Sequence, residues 1–365
     1  MEVLAFNLNN AKAIYRLDSS GMMTALGGLA GQCVDACWNL TAGIEPPPIE
    51  AISHIVVTGL GGSAIGGDLL RVYCHDKIPV PVTVNRHYTL PSFVGRDTLV
   101  FAVSYSGNTE ETLSAYEDAR RRESAIVVIT SGGKLKEMAL RDGVTLITIP
   151  GGIAPRAATG FLFIPTLRVM ERLGFLPGME GSIATMIDHL KELWEKLKPE
   201  TPVTENLAKQ LAQKLFNRIP VIWGTSGSTE VVAQRWKGQI NENTKAPAYW
   251  NVFPELNHNE IVGFQVPGEL LKKLHLVMLR DEEDHPRVQK RIDITKEIIK
   301  DRVGGISEVY ASGEGDLSRL YSLIYLGDCT SVYLAALYGV DPGPVKVIDR
   351  LKQELQSCGP VCGLP

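Results

Sequence analysis

Residues 98–116, TLVFAVSYSGNTEETLSAY, decide the fold. Leu99 to Val103 is a short apolar run that reads as a buried strand. Ser104 to Thr109 consists of small hydroxyl, glycine and amide residues, with Tyr105 the exception. From Glu110 onward, acidic residues in the first turn and apolar residues at helical spacing predict a helix. Such a loop places backbone N–H groups and the hydroxyls of Ser104, Ser106 and Thr109 at the positive end of a helix. That arrangement suits a phosphate, with Gly107 permitting close backbone approach. An ordinary strand-to-helix loop with Thr109 as N-cap explains the same residues equally well.

The same strand, small loop and helix recur on both sides of this stretch. HIVVTGLGGSAIGGDLLRVY (54–73) carries a strand, a glycine loop and an amphipathic start, and AIVVITSGGKLKEMAL (125–140) repeats the pattern. Strands alternating with helices predict parallel β-α-β units in a three-layer α/β domain. The second half restates the first. RIPVIWGTSGSTEVVAQRWK parallels the Ile55 region, with Gly59 against Gly224 and Ser63 against Ser228, both at an offset of 165. EVYASGEGDLSRLY resembles VVITSGGKLKEMAL, and SLIYLGDCTSVYLAALYGVDP resembles FLFIPTLRVMERLGF. The chain therefore reads as two copies of one α/β domain. The expected division is an N-terminal helical segment over 1–45, a first domain over 46–180 and a second over 181–365. The repeat fails at one place: the counterpart of SYSGNTEET is LVMLRDEEDHP, which has no hydroxyl loop.

A chain of 365 residues, 44% hydrophobic and 21% charged, can bury a large core. Its formal net charge of -4, without a long basic run, argues against nucleic-acid or membrane-surface binding. No apolar segment is expected to approach the roughly 20 residues that span a bilayer. The N-terminal residues lack a basic stretch followed by an apolar one, so the expected location is the cytoplasm. Cys33/Cys37 and Cys358/Cys362 have the spacing of a zinc site, but neither pair has adjacent His ligands, and reduced thiols are the better reading.

Several residues could carry chemistry. GLGGSAIGG (59–67) follows a strand but fits a dinucleotide fingerprint poorly; Ser63 in it suits a sugar or phosphate contact, and a structural turn is an equal alternative. Glu242, flanked by Asn241 and Asn243, and His258, flanked by Asn257 and Asn259, are the sharpest acid/base candidates. A helix-end Glu and a satisfied loop His are the bland alternatives, and Glu255 and Glu260 compete as carboxylates. Arg156, between a strand and a helix, can face an oxyanion or phosphate. Lys352 lies on the last helix, where a solvated face is the default. The other histidines, His54, His75, His87, His189, His275 and His285, show no metal-ligand spacing, and no Gly-x-Ser-x-Gly elbow is present.

GLGGSAIGG, SYSGNTEETL, PRAA, GQINENTKAP, PELNHNEIVGF and IDRLKQEL together resemble the bifunctional phosphoglucose/phosphomannose isomerase family of sugar-isomerase (SIS) domain proteins. The resemblance spans about residues 25–355, and NENTK followed by ELNHNE is its most specific part. It implies two SIS domains, each a five-stranded parallel sheet between helices, and a homodimer. Gly62, Ser63, Ser104, Ser106 and Thr109 would hold the substrate phosphate. Glu242 would move a proton between C1 and C2 of a hexose 6-phosphate. His258, donated by the neighbouring subunit, and Lys352 would assist ring opening, and Arg156 would stabilise the enediolate. The IDRLK context favours Lys352 over Lys346. Such chemistry needs no redox cofactor or metal. The rival readings are a non-catalytic SIS-domain sugar-phosphate sensor, which would lose Glu242 and His258, and the isomerase part of an amidotransferase, which would need an N-terminal nucleophilic cysteine domain.

Overall fold

The computed structural model describes residues 6–357. Cys358 and Cys362 lie outside the described residues, whereas Cys33 and Cys37 are buried free thiols. The first sheet contains His54–Thr58 (β1), Val82–Asn85 (β2), Thr98–Val103 (β3), Ala125–Thr130 (β4) and Thr145–Thr148 (β5), in the order β2-β1-β3-β4-β5. All neighbours are parallel, with Val57 opposite Phe101 and Phe101 opposite Val127. The central strands β1, β3 and β4 read as nearly continuous apolar runs because both faces of the sheet are covered there, whereas the edge strands β2 and β5 are mixed and half-buried. Leu99, Phe101 and Val103 enter one core, while Val100 and Ala102 enter another on the opposite face.

The helices of the first half are Ala11–Leu17 (α1), Met22–Gly27 (α2), Leu29–Val34 (α3), Gly62–Cys74 (α4), Glu110–Arg121 (α5), Gly133–Asp142 (α6) and Thr159–Arg172 (α7). The N-terminal helices contribute Met22, Met23, Leu26, Leu29 and Cys33 to the same core as α7, so this segment packs on the α/β body.

Met179–Leu197 (α8) and Leu207–Leu215 (α9) lead to the second sheet. It contains Ile219–Thr225 (β6), Tyr249–Phe253 (β7), Leu274–Arg280 (β8) and Gly305–Tyr310 (β9), in the order β7-β6-β8-β9. Its helices are Glu230–Gln239 (α10), the single turn Gly268–Leu271 (α11), Pro286–Ile299 (α12), Gly315–Leu337 (α13) and Lys346–Ser357 (α14). The order matches the first sheet strand for strand, but among the described residues the expected fifth strand is missing, and the second sheet has four. The reason lies just after Ser312. In the first half a helix, a strand and a second helix follow Ser131; in the second half α13 runs unbroken for 23 residues through that space.

Helix α13 also corrects the expectation about apolar length. It is long and apolar enough, by length and composition, to cross a membrane, yet its most apolar stretch is 100% buried by the rest of the chain. Its hydrophobicity is that of a central core helix. Tyr321, Ile324 and Tyr333 join the core formed by the inner faces of both sheets, including Ile55 and Val57 of β1 and Ile222 and Val277 of β6 and β8. One shared core thus fixes the two sheets relative to each other.

Candidate active site

In the first sheet the chain turns one way after β1, to β2, and the other way after β3, to β4. The loops after β1 and β3 therefore flank a crevice at the carboxyl ends of the strands, where open α/β sheets bind ligands. The two loops are tied together: the Tyr105 N–H donates to Oγ of Ser63 at 3.2 Å. Within the second loop, Oγ of Ser104 accepts from the Gly107 N–H at 3.1 Å and lies 3.0 Å from Oγ1 of Thr109. Thr109 occupies the N-cap position of α5 but makes no side-chain capping bond, so its hydroxyl faces Ser104 instead. Oγ of the exposed Ser106 accepts from the Asn108 N–H at 3.3 Å. Gly107 has φ 69°, and an added Cβ would lie 1.8 Å from the carbonyl oxygen of Gly132. Only glycine fits there. Ser104, Ser106 and Thr109 are thus gathered at the N-terminus of one helix, and Ser63 in the first turn of another, an arrangement suited to an anion.

A cavity of about 200 Å³ opens beside this crevice, lined among others by Gly61, Gly62, Arg86, Arg156, Glu242 and Trp250. Arg156 sits in a 3-10 turn, Pro155–Ala157, between β5 and α7. A Cβ on Gly62 would lie 2.9 Å from the carbonyl of Pro155, so the glycine lets the start of α4 close on this turn. Glu242 lies in the wide π turn Ile240–Thr244 that ends α10, an irregularity common at functional sites. Nη1 of Arg156 donates to Oε2 of Glu242 at 3.4 Å. The guanidinium is buried while the Glu242 side chain is 34% exposed. Burial lowers the Arg156 pKa, and Glu242 and then Asp18 oppose that shift. A carboxylate able to accept a carbon-bound proton and a cation able to face the resulting oxyanion therefore share one cleft.

Other residues expected from the sequence lie apart from this pair. His258 ends the 3-10 turn Glu255–His258 and is exposed, outside the lining of the cleft. Lys352 is exposed on α14, also outside that lining. Glu260, a rival carboxylate, is engaged elsewhere: it accepts from Nε1 of Trp223 at 2.9 Å.

The cleft also holds residues that the sequence reading did not single out. Arg86, just past β2, lines it and pairs with the buried Asp68. Trp250, from β7, forms part of the wall. Asn243, in sequence simply an amide beside Glu242, accepts at Oδ1 from Nε of Arg156 at 2.6 Å.

The second sheet has the same crevice between the loops after β6 and β8, but its chemistry is inverted. Oγ1 of Thr225 donates to Oδ2 of the buried Asp284 at 2.8 Å, and Asp281 stands in the same loop. A protein carboxylate takes the hydroxyl that a bound anion would use. Among the described residues, no group of three or more His, Cys, Asp or Glu is placed to hold a metal ion.

Paired α/β domains of this topology place the chain among the SIS-domain proteins. Residues 49–155 match the SIS domain model, and residues 204–355 match that of the bacterial phospho-glucose isomerase C-terminal SIS domain. The chain is 56% identical to the bifunctional phosphoglucose/phosphomannose isomerase of Caldicellulosiruptor bescii, over 84% of this chain and 90% of that one. It is 42% identical to the enzyme of the same name from Aquifex aeolicus, over 83% and 90%. A glucose-6-phosphate isomerase like protein from Thermus thermophilus shares the fold, with a TM-score of 0.63 at 22% identity over 94% of this chain and 99% of that one. The chain belongs to the bifunctional phosphoglucose/phosphomannose isomerase family.

Proposed function

We infer that the chain is an aldose–ketose isomerase that interconverts glucose 6-phosphate and mannose 6-phosphate with fructose 6-phosphate through a cis-enediol, as a cytoplasmic enzyme. The observation that carries this reading is the 3.4 Å approach of Arg156 to Glu242 in a cleft beside the hydroxyl-lined loops. Isomerisation removes a proton from the carbon next to a carbonyl and returns it one carbon away. Glu242 performs both transfers, so no external acid or base is consumed. The carbonyl oxygen gains negative charge as the proton leaves, and the Arg156 guanidinium faces that charge. Gly62, Ser63, Ser104, Ser106 and Thr109 hold the phosphate far from the reacting carbons, which spends binding energy on orientation. Glucose and mannose differ only at C2, and removal of the C2 proton takes both open chains to the same enediol.

His258 and Lys352 complete the site in this reading by moving protons between the ring and hydroxyl oxygens during ring opening. Their exposure in the single chain fits a site finished by a second copy, with His258 entering the neighbour's cleft. Apolar side chains left exposed near His258 or on α14, including Val262, Val266, Val347 and Leu351, are consistent with such a homodimer. The functional units are an N-terminal segment over 1–45, a phosphate-holding domain over 46–180 and a domain over 181–365 that supplies the base.

The test is a coupled assay of purified protein on both hexose phosphates, alongside Glu242→Gln. The variant is expected to bind the sugar phosphate normally while turnover falls about 10²- to 10⁴-fold. Turnover near that of the unaltered protein would remove Glu242 as the base.

A further inference from the structure

Arg156 and Arg235 are both buried guanidinium groups, and the fold treats them in opposite ways. Arg235 is neutralised: Nε donates to Oδ1 of Asp328 at 3.0 Å and Nη2 to Oδ2 at 2.6 Å. Arg235 also donates to the backbone oxygen of Arg156 at 2.7 Å, so the neutralised pair anchors the main chain of the other arginine. The Arg156 side chain is fixed mainly by uncharged acceptors, and its one ion pair, to Glu242, is longer at 3.4 Å. Its Nε donates to Oδ1 of Asn243 at 2.6 Å, and its Nη2 donates to the carbonyls of Pro342 and Gly343 at 2.8 Å each. These three acceptors are uncharged. Nη1 alone points to an anionic group, Glu242, and to the cleft.

The orientation of the Asn243 amide follows from its surroundings. Asn243 is fully buried, and its Nδ2 donates to Oγ of Ser331 at 2.8 Å. The Ser331 hydroxyl hydrogen is committed to the carbonyl of Asp328, at 2.6 Å. Ser331 can therefore only accept from Asn243, which turns the amide NH2 toward Ser331 and the oxygen toward Arg156. A carboxylate at position 243 would meet Ser331 oxygen to oxygen and would place a full negative charge against Arg156.

We propose that Asn243 is a positioning residue whose neutrality is its function: it fixes the Arg156 guanidinium while leaving its positive charge to be met by negative charge developing on the substrate. The inference rests on the reading of Arg156 as the partner of the enediolate. A charged hydrogen-bond partner at Nε would hold the guanidinium equally well but would offset its field in the cleft. Asn243 touches no reacting atom, and its effect passes through Arg156.

The experiment compares Asn243→Asp, Asn243→Ala and Arg156→Gln. Steady-state kinetics are measured with fructose 6-phosphate, and affinity with a hydroxamate analogue of the enediolate. Asn243→Asp is expected to lower kcat about a hundredfold while KM moves only a few-fold, with a matching loss of hydroxamate affinity. Asn243→Ala, which adds no charge, is expected to lower kcat by only about tenfold. Equal losses in the Asp and Ala variants, or a KM change that accounts for the whole loss, would overturn the proposal. Should Asn243→Asp fail to fold, Asn243→Asp/Ser331→Ala removes the oxygen–oxygen clash and carries the same comparison against Asn243→Ala/Ser331→Ala. Arg156→Gln separates the two levels. Full kcat in that variant overturns the underlying role of Arg156, whereas loss there with normal kcat in Asn243→Asp overturns the neutrality argument alone.

Discussion

Nη1 of Arg156 lies 3.4 Å from Oε2 of Glu242, although 86 residues separate them and each comes from a different copy of the repeat. Neither copy holds this pair alone. Arg156 follows β5, the strand the second copy lacks, and Glu242 ends α10, the counterpart of α4. The duplicated fold is thus asymmetric, with the hydroxyl-lined loops and the cation in one half and the carboxylate in the other.

The first prediction concerns the shape of the cation rather than its charge. Arg156→Lys keeps a positive charge but loses the planar fork that reaches Asn243, Pro342 and Gly343 together. Isomerase kcat is expected to fall about 10²- to 10³-fold, as when a positioned oxyanion partner is removed. The unpaired buried carbonyls should also cost about 1–3 kcal/mol, read as a lower Tm. Normal turnover in a destabilised variant would restrict Arg156 to a structural role.

The central strands and small-residue loops were legible because burial on both faces writes β1, β3 and β4 as nearly continuous apolar runs. The repeat was legible for the same reason, down to the missing hydroxyl loop after β8. The missing fifth strand was not. The residues after Ser312 resemble the start of α6 and then α7, and nothing local says that the intervening strand is gone. The length of α13 was hidden by Ser318, Ser322, Asp328 and Ser331, which look like surface residues until Arg235 and Asn243 are seen to pair with two of them. Taken singly, Glu242 and Arg156 were legible only as types of residue in suggestive settings; the family resemblance put both on one substrate, and only their direct contact depends on how the two domains close. Arg86 carries no motif at all and enters the cleft solely through the strand that precedes it.

A second prediction concerns acid sensitivity. His275, on β8, is buried; its Nε2 lies 2.9 Å from Oγ of Ser307, while Nδ1 has no partner. Burial first, and then Arg218 and Lys214, lower its pKa from 6.5 to about 4. The folded state therefore holds the ring neutral where the unfolded chain would bind a proton. Its stability contribution is complete above about pH 6.5 and is lost as pH falls toward 4, on the order of 3 kcal/mol across that window. His275→Gln should flatten the decline of chemical-denaturation stability between those pH values, even if it lowers stability at neutral pH. An unchanged acid slope would place the sensitivity in another group.

The last prediction tests whether two copies build each site. His258 is exposed and absent from the cleft of its own chain, so a shared site would pair Glu242 of one subunit with His258 of the other. Glu242→Gln and His258→Ala are each expected to be nearly inactive as homodimers. In a mixed dimer with shared sites, one site combines both lesions and the other combines both intact residues. With random exchange half the dimers are mixed and each has one good site of two, so activity should recover to about a quarter of the unaltered level. If each chain built its own site, every site in the mixture would carry one lesion and no recovery would follow. Mass spectrometry of differently tagged chains establishes that exchange has occurred; silence in the assay despite mixed dimers would place His258 in its own subunit's site, and an active His258→Ala homodimer would place it outside catalysis.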